Sequence, residues 1–129
     1  MPDFSVLFVD DEPLTRRVSL RLIGRRYPVL EADSGVSAMA CLEQQGDNVG
    51  VVITDMKMDK MDGMSLIKRL YVEYPNISII ASTGDLSNYE FSKLIDEGKI
   101  FSALEKPWNF DAALATIDAA MQAYIKNVQ

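Results

Sequence analysis

Five short apolar runs alternate along the chain with longer segments in which apolar residues recur every three or four positions. This alternation is typical of βαβ units and therefore of a parallel sheet. In the third run, Val51, Val52 and Ile53 are consecutive apolar residues. Because strands of a parallel sheet are buried on both faces, this run predicts helices on both sides of the sheet. The strands are predicted at Phe4–Val9, Val29–Ala32, Gly50–Thr54, Ile77–Ser82 and Phe101–Leu104.

Five helices are predicted between and after these strands from apolar residues at helical spacing. Pro13 is placed to open the first, and Pro75 and Gly98 to end the third and fourth. The last helix should present one apolar stripe to the sheet. The marker residues are Leu14, Val18 and Leu22; Val36, Met39 and Leu42; Met64, Ile67, Leu70 and Tyr74; Phe91, Leu94 and Ile95; and Phe110, Leu114, Ile117, Met121, Tyr124 and Val128.

The length of 129 residues fits one compact domain over residues 1–129. With 13 Lys+Arg against 19 Asp+Glu, the net charge of −6 argues against a nucleic-acid or anionic-membrane partner. No apolar stretch approaches the roughly 18 residues of a membrane span. The start of the chain lacks signal-peptide features, and the single Cys41 cannot form an internal disulfide, so a cytoplasmic location is expected.

The chain has no histidine, which excludes Ser-His-Asp and Cys-His catalysis and every zinc site that needs histidine. The remaining candidate groups are carboxylates, hydroxyls and lysines that follow the predicted strands. These groups should meet at one edge, because parallel strands joined by right-handed crossovers end on the same side. They are Asp10-Asp11-Glu12 after the first strand, Asp55 after the third, Ser82-Thr83-Gly84 after the fourth and Lys106-Pro107 after the fifth.

Clustered carboxylates need a compensating charge. Two of them about 4 Å apart repel by about 4 kcal/mol at an effective dielectric constant near 20. Mg²⁺ suits an all-oxygen site of this size, and Lys106 could also neutralise part of the charge. For Asp10 and Asp11 alone, a helix-capping role is a simpler alternative.

Four motifs in order, VDDEP, VVITDMKMDKMDG, ASTG and EKPW, resemble the receiver domain of two-component response regulators. The resemblance extends from Phe4 to the last helix. It implies a flavodoxin-like, doubly wound five-stranded parallel sheet of order 2-1-3-4-5, with five helices in a three-layer sandwich. It also implies a phosphorylation-dependent switch, with no classical enzyme activity expected beyond catalysing its own phosphorylation and dephosphorylation.

The resemblance assigns a role to each residue at the strand ends. Asp55 would accept a phosphoryl group from the histidine of a sensor histidine kinase or phosphotransfer protein. Mg²⁺ (or Mn²⁺) would be held by Asp10, Asp11, Asp55 and the backbone carbonyl of Lys57, while Thr83 and Lys106 would contact the phosphoryl group. An output domain or effector protein would read the change, and a phosphorylation-dependent homodimer is a further expectation. No direct contact with nucleic acid or membrane is expected.

Three departures from the family pattern bear on switching. Asp59 stands where receivers commonly have proline, and Ala103 stands where they usually have Tyr or Phe. Phe101, two residues before Ala103, could replace the missing aromatic residue or simply belong to the core, which is the favoured interpretation. Lys57 and Asp85 occupy positions that tune the lifetime of the phosphoryl group, and they could pair across the site or remain separately solvated.

Four other functions can be weighed against the switch. A receiver-like interaction module that is independent of phosphorylation is favoured by Asp59 and Ala103. A metal-dependent phosphatase with an aspartate nucleophile would need a second Asp where Lys57 stands. Asp62-Gly63 superficially suggests a calcium loop, but the Asp-x-Asp-x-Asp-Gly pattern and its closing Glu are missing, and no nucleotide-binding glycine motif occurs.

Overall fold

The computed structural model describes residues 4–58, 61–88 and 91–129. Within them the chain forms five strands, five α-helices and two short 3-10 turns in the predicted alternation. The strands are β1 (Ser5–Val9), β2 (Val29–Ala32), β3 (Val49–Asp55), β4 (Ser78–Thr83) and β5 (Ser102–Glu105). The helices are α1 (Pro13–Gly24), α2 (Gly35–Gln45), α3 (Gly63–Glu73), α4 (Phe91–Asp96) and α5 (Phe110–Val128), and the 3-10 turns are Gly46–Asn48 and Leu86–Asn88.

The strands form one parallel sheet in the order β2-β1-β3-β4-β5, which confirms the predicted flavodoxin-like topology. All seven residues of β3 and all six of β4 are buried, as expected for central strands covered on both faces. On one face α5 packs closely over β3: a Cβ added at Gly50 would lie 2.7 Å from Met121 Sδ. The segment between α1 and β2 is joined to α5 through Asp118, which accepts hydrogen bonds from Arg26 and Tyr27.

Side-chain caps fix where four of the helices begin. Glu12, Ser34, Asp62 and Asn109 each accept a hydrogen bond from a backbone N–H in the first turn of α1, α2, α3 and α5. Gly98 adopts φ +74°, a left-handed conformation that suits glycine, two residues after the end of α4. The predicted stop at Gly98 is therefore confirmed.

The prediction of a single buried stripe along α5 is wrong at both ends of the helix. Phe110 is 54% exposed and Val128 is 43% exposed, whereas Ala113 and Ala120 are fully buried. A 19-residue helix is about 28 Å long, and the longest strand, with seven residues, spans only about 23 Å. The ends of α5 therefore extend past the sheet, and its small alanines allow the close approach to β3.

The first helix also differs from a simple core-facing pattern. Leu14 is 67% exposed and Val18 is 50% exposed, while Leu22 and Ile23 are buried. Leu14 and Val18 thus share the helix face of Leu22 by their spacing but remain largely exposed to solvent. None of the helices in the described ranges is long and apolar enough to cross a membrane.

Candidate functional site

Four strands bring polar residues to one edge of the sheet. Asp10 follows the end of β1, Asp55 is the last residue of β3, Thr83 is the last residue of β4 and Lys106 follows β5. Asp10, Asp55 and Thr83 are at most 9% exposed. The sheet topology therefore assembles the predicted residues into one site.

Three carboxylates lie close together in this site. Asp10, Asp11 and Asp55 each offer one oxygen, and these oxygens lie within 4.8 Å of one another. Asp10 is completely buried, whereas Asp11 is exposed. Three hard oxygen donors with access to solvent on one side fit a small divalent cation such as Mg²⁺, which keeps part of its water shell.

Lys106 supplies the local positive charge. Its Nζ donates to Asp55 Oδ1 at 3.0 Å and to Asp10 Oδ2 at 3.4 Å. Burial lowers the pKa of Lys106, but the hydrogen bond to Asp55 and the charges of Asp10 and Asp55 outweigh burial and raise it. Lys106 therefore remains protonated at neutral pH and stabilises both carboxylates.

Asp10 is the most deeply buried of the three carboxylates. Burial raises its pKa, the charge of Asp55 adds to that effect, and the Glu12 N–H and Lys106 oppose it. The Glu12 N–H donates to Asp10 Oδ1 at 2.9 Å. The side chain that caps α1 is Glu12, whose Oε1 accepts from the Leu14 N–H at 2.7 Å. The helix-capping alternative for Asp10 and Asp11 is therefore wrong.

Asp55 is held from its own strand and from Lys106. The Met56 N–H donates to Asp55 Oδ1 at 2.9 Å, the same oxygen that Lys106 contacts. Among the described residues, no hydrogen bond reaches Asp55 Oδ2. One carboxylate oxygen is therefore anchored and the other is available for a metal ion or for attack on an electrophile.

Gly63 provides space beneath Asp55. A Cβ added at Gly63 would lie 2.5 Å from the Asp55 carbonyl oxygen and 2.7 Å from Met56 Cα, and the Gly63 N–H donates to the Met56 carbonyl at 3.1 Å. Asp62 caps α3 through the Ser65 N–H. The Asp62-Gly63 pair closes the receiver-like motif VVITDMKMDKMDG and supports the Asp55 strand end. Its position seven or eight residues after Asp55 is the signal that could have indicated this supporting role.

The loop after β4 holds Thr83 and Asp85 together. Thr83 Oγ1 accepts from the Asp85 N–H at 3.2 Å and lies 3.3 Å from the Asp85 carbonyl, to which it donates. The Asp85 carboxylate accepts hydrogen bonds from the backbone N–H and the hydroxyl of Ser87. These two bonds lower the pKa of Asp85, and the charge of Lys57 adds a smaller effect in the same direction. Among the described residues, no ion pair joins Lys57 to Asp85.

The residues near β5 give a mixed outcome. Phe101 is 36% exposed and lies outside the buried core, so its favoured interpretation as core packing is wrong. Ala103 pairs with Ala81 of β4 and is partly buried. Asp59 lies outside the described residues.

Trp108 connects the site to a neighbouring cleft. Its Nε1–H donates to Ser82 Oγ at 3.0 Å, and its ring meets Phe8 edge-on, with centroids 5.7 Å apart. The cleft, about 550 Å³ in volume, lies between α1 and the start of α5, and Lys106 borders it. Its apolar lining is Phe8, Leu14, Val18, Leu22, Trp108 and Phe110. Neither this hydrogen bond nor the cleft had a signal in the sequence.

Comparisons with known proteins agree with this geometry. The family model described as the response regulator receiver domain matches residues 6–118. The transcriptional regulatory protein GlrR of Escherichia coli (strain K12) is 35% identical over 118 residues, which cover 91% of this chain and 26% of GlrR. The sensor kinase CckA of Brucella abortus (strain 2308) is 31% identical over 119 residues, covering 92% of this chain and 12% of CckA. The chain thus spans about a quarter of the length of GlrR and about an eighth of that of CckA.

Solved structures show the same fold. The signal receiver domain of an HD domain-containing protein from Pseudomonas fluorescens Pf-5 superposes with a TM-score of 0.87 at 26% identity, covering 96% of this chain and 98% of that one. A response regulator receiver domain protein from Clostridium thermocellum gives a TM-score of 0.84 at 27% identity, with 92% and 94% covered. With its sheet order, its acidic edge and the family match over residues 6–118, the chain belongs to the response regulator receiver domains.

Proposed function

We propose that residues 1–129 act as one receiver domain that accepts a phosphoryl group on Asp55 from a phosphohistidine of a sensor histidine kinase or phosphotransfer protein. The observation that carries this proposal is the convergence of three carboxylate oxygens within 4.8 Å, with Lys106 Nζ 3.0 Å from Asp55. Such a site combines a nucleophile with the charge needed to neutralise a phosphoryl group.

The transfer forms a bond between an Asp55 carboxylate oxygen and phosphorus while the phosphorus–nitrogen bond of the phosphohistidine breaks. The nitrogen keeps the electron pair of that bond, and the donor histidine leaves with its imidazole restored. Asp55 needs no general base, because a carboxylate is already ionised. Lys106 is placed to neutralise charge on the incoming phosphoryl oxygens, and Thr83 supplies a hydroxyl donor beside it.

Asp10, Asp11, Asp55 and the backbone carbonyl of Lys57 are the groups that would hold Mg²⁺ or Mn²⁺. The cation would offset the repulsion among the carboxylates and between Asp55 and the phosphoryl group. The donor set fits because it contains only oxygen and because the buried Asp10 carboxylate has Lys106 as its only cationic contact among the described residues.

Switching would begin at Thr83. Its hydroxyl is engaged with Asp85, so contact with a phosphoryl group requires it to exchange partners and releases the loop. That loop is tied to β5, because the Leu86 N–H donates to Glu105 Oε2 at 3.3 Å and the Lys106 N–H donates to the Thr83 carbonyl at 2.7 Å. With Ala103 in place of an aromatic residue, we assign the coupling to this loop.

The phosphodonor would approach over the cleft beside Lys106. Leu14 and Val18 are exposed there, and three exposed arginines follow one another at a spacing of four residues: Arg17 and Arg21 in α1 and Arg25 directly after it. Among the described residues, these three arginines make no ion pair. A donor protein with apolar surface residues flanked by acidic ones would complement this face in charge. An output domain or effector would recognise the switched loop, by homodimerisation or by direct contact. The phosphoryl transfer would take place in the cytoplasm, where kinases use ATP.

The proposal is tested by incubating the metal-free domain with acetyl phosphate, with and without Mg²⁺, and measuring its intact mass. We expect a gain of one phosphoryl group that requires Mg²⁺ and is absent in Asp55→Asn. Asp111→Asn, which removes an exposed carboxylate from the first turn of α5, is the matched control and should be phosphorylated normally. Absence of any gain in the wild type would favour the interaction module that is independent of phosphorylation.

A further inference from the structure

Arg16 lies behind the acidic cluster and contacts it only through the backbone. Its Nη1 donates to the Asp10 carbonyl oxygen at 2.8 Å, and its Nε donates to Glu31 Oε1 at 3.0 Å. The Arg16 side chain is 18% exposed, whereas the Glu31 side chain, on β2, is 58% exposed. The guanidinium thus links the end of β1, the first turns of α1 and the neighbouring strand.

With this contact, both polar groups of the Asp10 backbone are hydrogen-bonded. The Asp10 N–H donates to the Ala32 carbonyl at 3.1 Å, and the Asp10 carbonyl accepts from Arg16. Because a peptide unit is planar, holding the Asp10 carbonyl also sets the orientation of the Asp11 N–H and restrains the position of the Asp11 Cα.

Asp11 depends on this backbone restraint more than its two neighbours do. The carboxylates of Asp10 and Asp55 are each held by hydrogen bonds from Lys106 and from a backbone N–H, on separate oxygens of Asp10 and on the same oxygen of Asp55. Among the described residues, no hydrogen bond or ion pair holds the Asp11 carboxylate, which nevertheless lies within 4.8 Å of the other two. The orientation of the peptide between Asp10 and Asp11 is therefore the main restraint on the position of this exposed carboxylate.

We infer that Arg16 is a positioning residue for the divalent-cation site, acting through the Asp10–Asp11 peptide. The inference rests on the proposed function, in which Asp10 and Asp11 hold the cation. Glu31 has a second role in it: its carboxylate neutralises the guanidinium, so that the positive charge opposes the cation less.

The sign of the change in affinity separates positioning from simple electrostatics. If Arg16 were only a nearby positive charge, its removal would strengthen Mg²⁺ binding. If it positions Asp11, its removal weakens binding. Outer contacts that orient metal ligands typically cost 10–100-fold in affinity when lost, so we expect Arg16→Ala to weaken Mg²⁺ binding by roughly tenfold or more.

The test is a Mg²⁺ titration of the metal-free protein, followed by Trp108 fluorescence and by calorimetry, with a urea unfolding curve for each variant. Arg16→Lys should fall between wild type and Arg16→Ala, because one ammonium cannot reproduce both bonds of the guanidinium fork. Glu31→Gln should weaken binding by leaving the guanidinium uncompensated. Arg26→Ala is the matched control. It removes an arginine that is likewise paired with a carboxylate, that of Asp118, and it should leave Mg²⁺ affinity unchanged.

A second readout needs no metal. In amide hydrogen exchange of the metal-free protein, the Asp11 and Glu12 amides should exchange faster in Arg16→Ala than in wild type, and not in Arg26→Ala. Should Arg16→Ala not fold, Arg16→Lys carries the same comparison. Unchanged or tighter Mg²⁺ binding in the Arg16 variants, with the wild type binding normally, overturns this inference alone. A wild type that binds no Mg²⁺ overturns the proposed cation site itself.

Discussion

Neutralising Asp10 should stabilise the metal-free protein, although Asp10 belongs to its functional site. The side chain is fully buried, and its pKa is raised chiefly by that burial. Asp10→Asn keeps the shape of the side chain and an oxygen that can accept the Glu12 N–H. The substitution therefore removes a buried charge while leaving the packing of the β1 end nearly unchanged.

The expected magnitude follows from three opposing effects. With their oxygens within 4.8 Å, Asp10 and Asp55 repel by about 3.5 kcal/mol at an effective dielectric constant near 20. The contact of Lys106 Nζ with Asp10 at 3.4 Å returns about 5 kcal/mol on the same scale. Burying the carboxylate costs several kcal/mol more, and Lys106 keeps Asp55 as a partner in the variant. We therefore expect Asp10→Asn to raise the free energy of unfolding by roughly 1–3 kcal/mol.

The assay is urea unfolding at pH 7 without divalent metal, repeated with Mg²⁺. Saturating Mg²⁺ at a hundred times its Kd adds about 2.7 kcal/mol to the wild type and less to the variant, which has lost a ligand, so the gap should close or reverse. Because the pKa of Asp10 is raised in the folded state, protonation of wild-type Asp10 favours folding at low pH, and this contribution disappears as pH rises through the raised pKa. The advantage of the variant should therefore be largest near neutral pH and shrink on acidification.

Asp118→Asn is the matched control. Its carboxylate is partly exposed and accepts from Arg26 and Tyr27, so neutralising it should destabilise the protein. If Asp10→Asn is less stable than wild type at pH 7 without metal, the electrostatic reasoning about the site is refuted, since the attraction to Lys106 would then exceed the cost of burial and repulsion.

Two further predictions concern the support of Asp55 and the approach of the donor. Gly63→Ala should destabilise the fold by roughly 1–3 kcal/mol and slow phosphorylation by acetyl phosphate, because its Cβ would clash with the Asp55 carbonyl; unfolding curves and intact mass measure both, and a wild-type phosphorylation rate would contradict the packing argument. Arg17→Glu with Arg21→Glu should slow transfer from a phosphorylated phosphotransfer protein at low salt without slowing transfer from acetyl phosphate, as followed by stopped-flow mass analysis. Equal slowing with both donors would show that α1 acts on the site rather than on the partner.

The sequence predicted the architecture well because its signals are local. A continuous apolar run such as Val51 to Ile53 reads as a buried strand wherever it occurs, and four such runs end in polar residues. Once the strands are parallel, their carboxyl ends must share an edge, so the meeting of Asp10, Asp55 and Lys106 follows from topology alone. The structure confirms the sheet order and the convergence.

The predictions that failed depended on how far each element extends and which element lies beside it. The spacing of Phe110 and Val128 matches the stripe of α5, yet both are exposed because the helix is longer than the sheet it covers. Two alternatives were open for Lys57 and Asp85, and among the described residues no ion pair joins them; the Asp85 carboxylate is held by Ser87 instead. Periodicity carries no information about either outcome.

The sequence by itself determined the fold class, the family and the residues that gather at the acidic edge. The alternation of apolar runs with helical segments predicts the fold class, and the four motifs at the strand ends indicate the family and the site residues. Only the tertiary structure decided how that edge is held: Arg16 on the Asp10 carbonyl, Gly63 beneath Asp55 and Trp108 on Ser82. Each of these contacts joins residues of two different elements. Their distances depend on how helices and loops pack on the sheet, which is a property of the folded chain and not of any local pattern.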